Sequence, residues 1–267
     1  MAWVETTSLS FTARHEGSQS DSALAVLDDL ERHRAQLEAL FPDVPGNVTV
    51  VLHDSLLQLS LAHPFMPLAR KLARPASRRY IAGWATRDEV HTLAPSLLRK
   101  LAGGPESMEA LMLTPKRAYT MLVVGANSPD LPPPLRPRTL GAYLRFGWLA
   151  EGAAQYFSGQ LAHLRVALAR RLRERPPHLP PTTRDSALLG GALFDLLAAE
   201  RGVEASVRLA RSPLDASADA LLETSFESPA ADVKRRWRAH LERLATPQPE
   251  VRLADVPVFD REAELRI

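Results

Sequence analysis

Apolar and polar residues alternate over positions 8–13, and this period of two predicts a β-strand. A Gly/Ser/Asp cluster at 17–22 is predicted to end that strand. Five leucines then recur at the spacing of one helix face: Leu24, Leu27, Leu30, Leu37 and Leu40. A β-branched run at 47–52 predicts a second strand. The chain is therefore expected to open as strand, helix, strand.

Two further short strands are predicted at 79–85 and 89–93, with a polar turn between them that makes a hairpin. After Pro95 the apolar residues follow helical spacing almost to the end of the chain. Proline-rich stretches at 129–137 and 175–181 interrupt this pattern and are predicted to be loops.

These patterns predict a mainly helical α+β fold. Residues 1–94 are expected to form an N-terminal α+β subdomain, with a small mixed sheet and a helix on one face. Residues 95–246 are expected to form a helical subdomain, and 247–267 a tail. The hydrophobic content of 45% can supply a sizeable core for this arrangement.

Composition excludes several classes of site. The chain has no cysteine, so disulfides, thiolate zinc sites and a cysteine nucleophile are excluded. Its 33 Lys and Arg nearly balance 31 Asp and Glu, so we do not expect nucleic acid as a partner. The sequence contains no run of about 18 apolar residues, which a membrane span would need, and the first residues lack a signal-peptide pattern. We therefore expect a cytoplasmic protein with no membrane partner.

The most informative stretch reads W-L-A-E-G-A-A-Q-Y, from Trp148 to Tyr156. It resembles the W-L-x-E-G-x-A-x-Y helix of the gluzincin, or peptidase MA-like, metallopeptidases, in which the glutamate is the third zinc ligand. The order of predicted elements is similar to that family over about 8–245. The resemblance implies a thermolysin-like metallopeptidase scaffold, with Glu151 in the region of the former metal site.

The sequence lacks the motif that performs the chemistry of that family. Zinc peptidases of this type need H-E-x-x-H, in which two histidines hold the metal and the glutamate deprotonates its water. No histidine lies between His91 and His163. Aligning the helices places Lys116 and Thr120 at the two histidine positions and Arg117 at the glutamate, whereas aligning on 127–129 shifts the match several residues earlier. Neither register supplies a ligand or a base, so we predict no catalytic residue, no metal and no cofactor.

Glu151 is expected to face a positive side chain in place of the metal. An unpaired carboxylate in a partly dry cleft is costly, so a cation of the protein should lie near it. Lys116 is the better candidate because its flexible stem would bring the ammonium to the vacated position, and Arg117 is the second. The alternative is that Glu151 pairs or caps on a wet surface.

Four more residues are candidates for lining the cleft that the resemblance implies: Trp148, Tyr156, His91 and Tyr119. His91 belongs to the predicted hairpin, and Trp148 and Tyr156 flank Glu151 in the motif. His91, His163 and Glu151 together would offer three metal ligands. However, His163 is twelve residues after Glu151 and would point away from it on a continuous helix.

Three functions remain open at this point. The leading hypothesis is a catalytically inactive, zinc-less metallopeptidase-like protein, a pseudoenzyme that binds an unidentified peptide or protein. The first alternative is a hydrolase with a nonstandard site near Glu151. The second is a helical interaction module that binds acidic partners or nucleic acid through its arginine-rich helix end, which contains Arg165, Arg170, Arg171, Arg173 and Arg175.

Overall fold

The structure, a computed structural model, describes residues 3–62, 66–128, 130, 131, 133 and 137–247. The strands are β1 (Trp3–Thr7), β2 (Phe11–Glu16), β3 (Val48–His53), β4 (Gly83–Ala85) and β5 (Glu89–Leu93). The helices are α1 (Ser20–Glu38), α2 (Leu56–Ala62), α3 (Met66–Leu72), α4 (Pro75–Arg78), α5 (Pro95–Leu101), α6 (Pro105–Met112), α7 (Thr114–Asn127), α8 (Pro137–Phe157), α9 (Arg165–Glu174), α10 (Ser186–Arg201), α11 (Val203–Ala210), α12 (Ala218–Phe226) and α13 (Ala230–Ala245). Beyond Pro247 the predicted tail lies outside the described residues, as does much of the proline-rich loop at 129–137.

The five strands form one mixed sheet in the order β1-β2-β3-β5-β4. β2, β3 and β5 are parallel, and β1 and β4 pair antiparallel at the two edges. The parallel pair β2 and β3 is joined through α1, as parallel strands require a crossover. The predictions of a mainly helical α+β fold and of a small mixed N-terminal sheet are confirmed.

The predicted strands differ from the observed ones in three places. β1 was not predicted, because its exposed residues show no apolar alternation. The strand expected at 8–13 begins at Phe11 and continues to Glu16. The strand expected at 79–85 begins only at Gly83, since the residues before it follow directly from the helical turn α4.

One face of the sheet packs against α1 and α7. Phe11, Val48 and Val50 alternate on β2 and β3 and are buried there. The ring of Tyr119 on α7 meets the ring of Phe11 edge to face at 4.9 Å between centroids. This packing fixes the position of α7 relative to the sheet.

The remainder of the described chain is helical, and no strand occurs between 95 and 247 within it. The prediction of an almost wholly helical segment after Pro95 is confirmed for those residues. None of the described helices has both the length and the apolar content to cross a membrane. Buried side chains of the sheet and of the helices join in one continuous core, which spans both predicted subdomains.

Helices α8 and α10 approach each other at two glycines. A Cβ atom built on Gly152 would lie 2.7 Å from the backbone of Gly190, and one on Gly190 would lie 2.8 Å from Cα of Gly152. Such distances are below van der Waals contact, so only glycine permits this crossing. Gly152 follows Glu151 directly, and the close approach therefore positions the helix that carries Glu151.

We predict that Gly152→Ala destabilises the protein by about 1–3 kcal/mol, because the added methyl group must separate α8 from α10. Gly141→Ala is the matched control on the same helix, since a Cβ there has no atom within 4 Å. It should stabilise the protein by about 0.5–1 kcal/mol through helix propensity. Urea unfolding measures both, and equal effects of the two substitutions would contradict the close packing.

Candidate active-site region

Arg117 and Glu151 form a buried ion pair between α7 and α8. The guanidinium nitrogen Nη2 of Arg117 contacts the carboxylate oxygen Oε2 of Glu151. The side chains are only 3% and 5% exposed. The prediction that a cation of the protein faces Glu151 is confirmed, and the alternative of a carboxylate on a wet surface is wrong.

The second oxygen of Glu151 is also occupied. The hydroxyl of Tyr143 donates to Oε1 of Glu151 at 2.8 Å. Tyr143 precedes Glu151 by eight residues on α8, which places both on one face of the helix. Burial, together with the neighbouring carboxylate, raises the pKa of Tyr143 well above its usual range. The hydroxyl therefore keeps its proton and remains a donor.

Lys116 does not reach Glu151, so the preference for it over Arg117 is wrong. Its ammonium lies 3.7 Å from Oδ1 of Asp29 on α1. Thr120, one turn further along α7, donates its hydroxyl to the carbonyl of Lys116 at 2.8 Å. The same hydroxyl lies 2.7 Å from Nε2 of His33, which also belongs to α1. Because its only proton goes to the carbonyl, it accepts the bond from His33.

The helix geometry of α7 explains this correction. Residues 116 and 120 share the face of α7 that packs on α1. Arg117 follows Lys116 directly and is turned by about 100° from it around the helix axis. Arg117 and Met121 accordingly share the face that lines the pocket with Glu151. Arg117 and Met121, rather than Lys116 and Thr120, are therefore the two α7 side chains that share the pocket with Glu151.

The residues around Glu151 do not fit a zinc ion. A guanidinium has no lone pair to give to a metal, and its positive charge would repel one. Met121 offers only a thioether, whereas zinc prefers imidazole, thiolate and carboxylate. Within the described residues no group of three or more His, Asp or Glu side chains is arranged to hold a metal.

A pocket with a cavity volume of about 110 Å³ opens above the ion pair. It lies between β4, α7, α8 and the start of α10, where Thr183 and Ser186 supply polar groups. Its walls are apolar: Leu72, Ile81, Trp84, Met121, Leu140 and Leu144. The rings of Trp84 and Tyr143 meet edge to face at 6.3 Å. The site is thus an apolar pocket with an ion pair at its wall.

The four other predicted cleft residues lie elsewhere. Trp148 is fully buried in the core. Tyr119 is also buried, and its hydroxyl donates to the carbonyl of Pro45 at 2.6 Å. The ring of Tyr156 stacks on Phe194, at 6.4 Å between centroids. None of these three is among the residues that line the pocket beside Glu151.

His91 lies on β5 and takes part in a separate buried cluster. Its Nδ1 is 3.1 Å from Nε2 of His53, and its Nε2 is 3.2 Å from a carboxylate oxygen of Glu89. Burial lowers the pKa of both imidazoles, that of His53 to about 4. His163 borders another cavity, beside Lys116 and Asp29, so the set of His91, His163 and Glu151 is not brought together.

The sequence interpretation missed Tyr143, Leu144 and Trp84 as pocket residues. A signal for Tyr143 was present, because its spacing from Glu151 corresponds to about two helical turns. No comparable signal exists for Trp84, since its place depends on how the sheet packs against α8. The start of α10 reaches the pocket through the same long-range packing.

Comparisons of this chain with protein-family models, with curated proteins and with solved structures found no match. The geometry of the site therefore carries the functional argument.

We predict that Glu151→Ala destabilises the protein by about 3–5 kcal/mol, because it leaves the Arg117 guanidinium buried without a counter-charge. The matched control is Lys116→Ala, which removes a partly exposed ion pair on the adjacent position and should cost less than about 1 kcal/mol. Chemical denaturation measures both changes. Similar costs for the two variants would show that the buried pair is not the stronger interaction.

We also predict that His33 makes the stability depend on pH. Burial lowers the pKa of His33 to about 4, against about 6.5 in an unfolded chain. Between these values the unfolded state binds the proton and the folded state does not, so stability is present above pH 6.5 and is lost as pH falls towards 4. The loss from His33 between pH 7 and pH 5 is about 2 kcal/mol.

His33→Gln should remove that part of the pH dependence and keep a donor for Thr120. His178→Gln is the control because His178 is exposed. Urea unfolding at pH 7 and pH 5 should show a smaller loss only for His33→Gln. The same loss in both variants would contradict the burial of a neutral His33.

Proposed function

We propose that this chain is a catalytically inactive, zinc-less metallopeptidase-like protein of the cytoplasm that binds an apolar peptide segment in the pocket beside Glu151. The observation that carries the proposal is the buried pair of Arg117 and Glu151. The carboxylate that the resemblance assigns to a metal is here held by a guanidinium. The pocket that remains is suited to binding rather than to bond cleavage.

The ion pair argues against a hydrolase with a nonstandard site at Glu151. A general base must reach water or a substrate proton with a free carboxylate oxygen. Each oxygen of Glu151 already accepts a hydrogen bond, one from Arg117 and one from Tyr143. Both oxygens are therefore engaged within the protein.

The pocket offers an extended ligand both apolar walls and backbone groups. Leu93 donates its N–H to the carbonyl of Ala82 at 3.2 Å. In an antiparallel pair, every second residue points its N–H and C=O at the neighbouring strand. Ala82 and Trp84 therefore point these groups towards β5, whereas Gly83 between them points its N–H and C=O away from β5. Gly83 is buried but lines the pocket at this edge of the sheet, where β4 pairs with no further strand among the described residues. A peptide backbone can pair with such an edge.

The arginine-rich helix end supports the alternative interaction module less well. Arg171 is buried and binds both carboxylate oxygens of Asp185, at 2.6 and 2.7 Å. Arg165 pairs with Glu106. Two of the five arginines are thus paired with carboxylates, Arg171 in the interior and Arg165 in a partly exposed pair, which leaves fewer free charges for an acidic partner.

The test uses a fluorescein-labelled Ala-Ala-Leu-Leu peptide and measures its anisotropy on titration with the protein. Leu144, at the mouth of the pocket, is 62% exposed and can be changed to Lys without disturbing the core. Leu144→Lys should weaken binding at least tenfold, since placing a charge there removes an apolar contact worth about 1.5–3 kcal/mol. Leu24→Lys is the control because Leu24 is exposed on α1, away from this pocket.

The peptide should also remain intact when zinc is added. Chelator-sensitive cleavage would overturn the assignment as an inactive protein. Equal binding by the two lysine variants would show that the peptide does not occupy this pocket, and no binding to the unaltered protein would refute the proposed function.

A further inference from the structure

Arg117 carries a hydrogen-bond donor that nothing in the described part of the chain satisfies. A guanidinium has five N–H donors, and one of its terminal nitrogens contacts Glu151. Its Nε is buried and has no acceptor among the described residues. Leaving such a donor unpaired in the interior is unfavourable. Because Arg117 lines the pocket, an acceptor that enters the pocket can approach the guanidinium.

The first turn of α10 contains a second backbone donor that has no acceptor in the described part of the chain, at a residue that lines the same pocket. The backbone amides on either side of Ala187 already have acceptors. The N–H of Ser186 donates to the carbonyl of Thr182, and the N–H of Leu188 donates to the carbonyl of Asp185. Ala187, which lines the pocket, has no acceptor for its N–H within the described residues. The carboxylate of Asp185 does not cap the helix, because Arg171 binds it.

The charges around the pocket favour an anionic acceptor. The charges of Arg117 and Glu151 cancel each other, and the Tyr143 hydroxyl turns its proton towards Glu151. The N-terminus of the 16-residue helix α10 then contributes a partial positive charge of about half a unit. A carboxylate placed between Ala187 and Arg117 meets donors on both sides.

The apolar part of the pocket limits what the carboxylate is attached to. A dry apolar cavity of about 150 Å³ can hold a molecule of the size of benzene. The cavity here, of about 110 Å³, has room for one aliphatic side chain between Leu72, Leu140 and Leu144. The ligand therefore combines one carboxylate with one aliphatic group close to it.

We infer that the pocket recognises the free C-terminal carboxylate of a peptide whose last residue is aliphatic. This inference rests on the proposed peptide-binding function and specifies which part of the peptide enters the pocket. The carboxylate accepts from Arg117 and from the N–H of Ala187, and the last side chain packs against the leucines. The preceding peptide backbone passes the free edge of β4 at Gly83.

Isothermal titration calorimetry with two peptides tests the inference on the unaltered protein. Acetyl-Ala-Ala-Leu-Leu with a free carboxylate and the same peptide with a C-terminal amide differ only in the terminal group. The acid should bind at least tenfold more tightly, because charge-assisted hydrogen bonds are the stronger ones. Decanoic acid is the third ligand, and its affinity shows whether the pocket prefers a lipid carboxylate to a peptide carboxylate.

Arg117→Lys tests the role of the guanidinium. Lysine keeps a positive charge for Glu151 but lacks the Nε donor and the planar fork. The tenfold preference for the acid should fall to less than about threefold in this variant, provided that it retains the circular dichroism of the unaltered protein. If the variant does not fold, the acid and amide pair on the unaltered protein decides the matter.

The outcomes separate this inference from the proposed function. Equal affinities for acid and amide would overturn the carboxylate inference and leave peptide binding in place. No binding of either peptide would refute both. Tight binding of decanoic acid without peptide binding would assign the pocket to a lipid carboxylate and overturn the peptide inference.

Discussion

The buried ion pair of Arg117 and Glu151 is the interaction on which the site depends. Two charges in the interior are tolerated only when they are paired and hydrogen-bonded. Tyr143 supplies the additional hydrogen bond to Glu151. The pair joins the first turn of α7 to the middle of α8, and the contact of Gly152 with Gly190 fixes α8 against α10. Together these contacts define three of the walls of the pocket.

Local patterns were sufficient to predict the fold class and the helical second part of the chain. Alternation identified β2 and leucine spacing identified α1, because each of these elements buries one face. The β-branched run identified β3, which is buried on both faces. β1 escaped prediction because an exposed edge strand needs no apolar alternation. β4 was predicted too long, since sequence pattern does not show where the turn after α4 ends.

The candidate site was predictable in kind but not in detail. A costly buried carboxylate implies a cation nearby, and that reasoning led to the ion pair. It did not identify the partner, because Lys116 and Arg117 are adjacent and only the rotation of α7 decides which of them faces α8. Lys116 forms an ion pair with Asp29 on α1, and Arg117 forms one with Glu151. Which of the two cations pairs with Glu151 depends on tertiary packing, and this cannot be read from a single sequence.

The central claim is that Arg117 and Met121, and not Lys116 and Thr120, share the pocket with Glu151. The direct measurement is the zinc content, after dialysis, of the Arg117→His, Met121→His double variant. With Glu151 as third ligand it should retain about one zinc ion per chain, since two imidazoles and a carboxylate form a zinc site. The matched variant Lys116→His, Thr120→His should retain none. Zinc in the second variant, or in neither, would contradict the account.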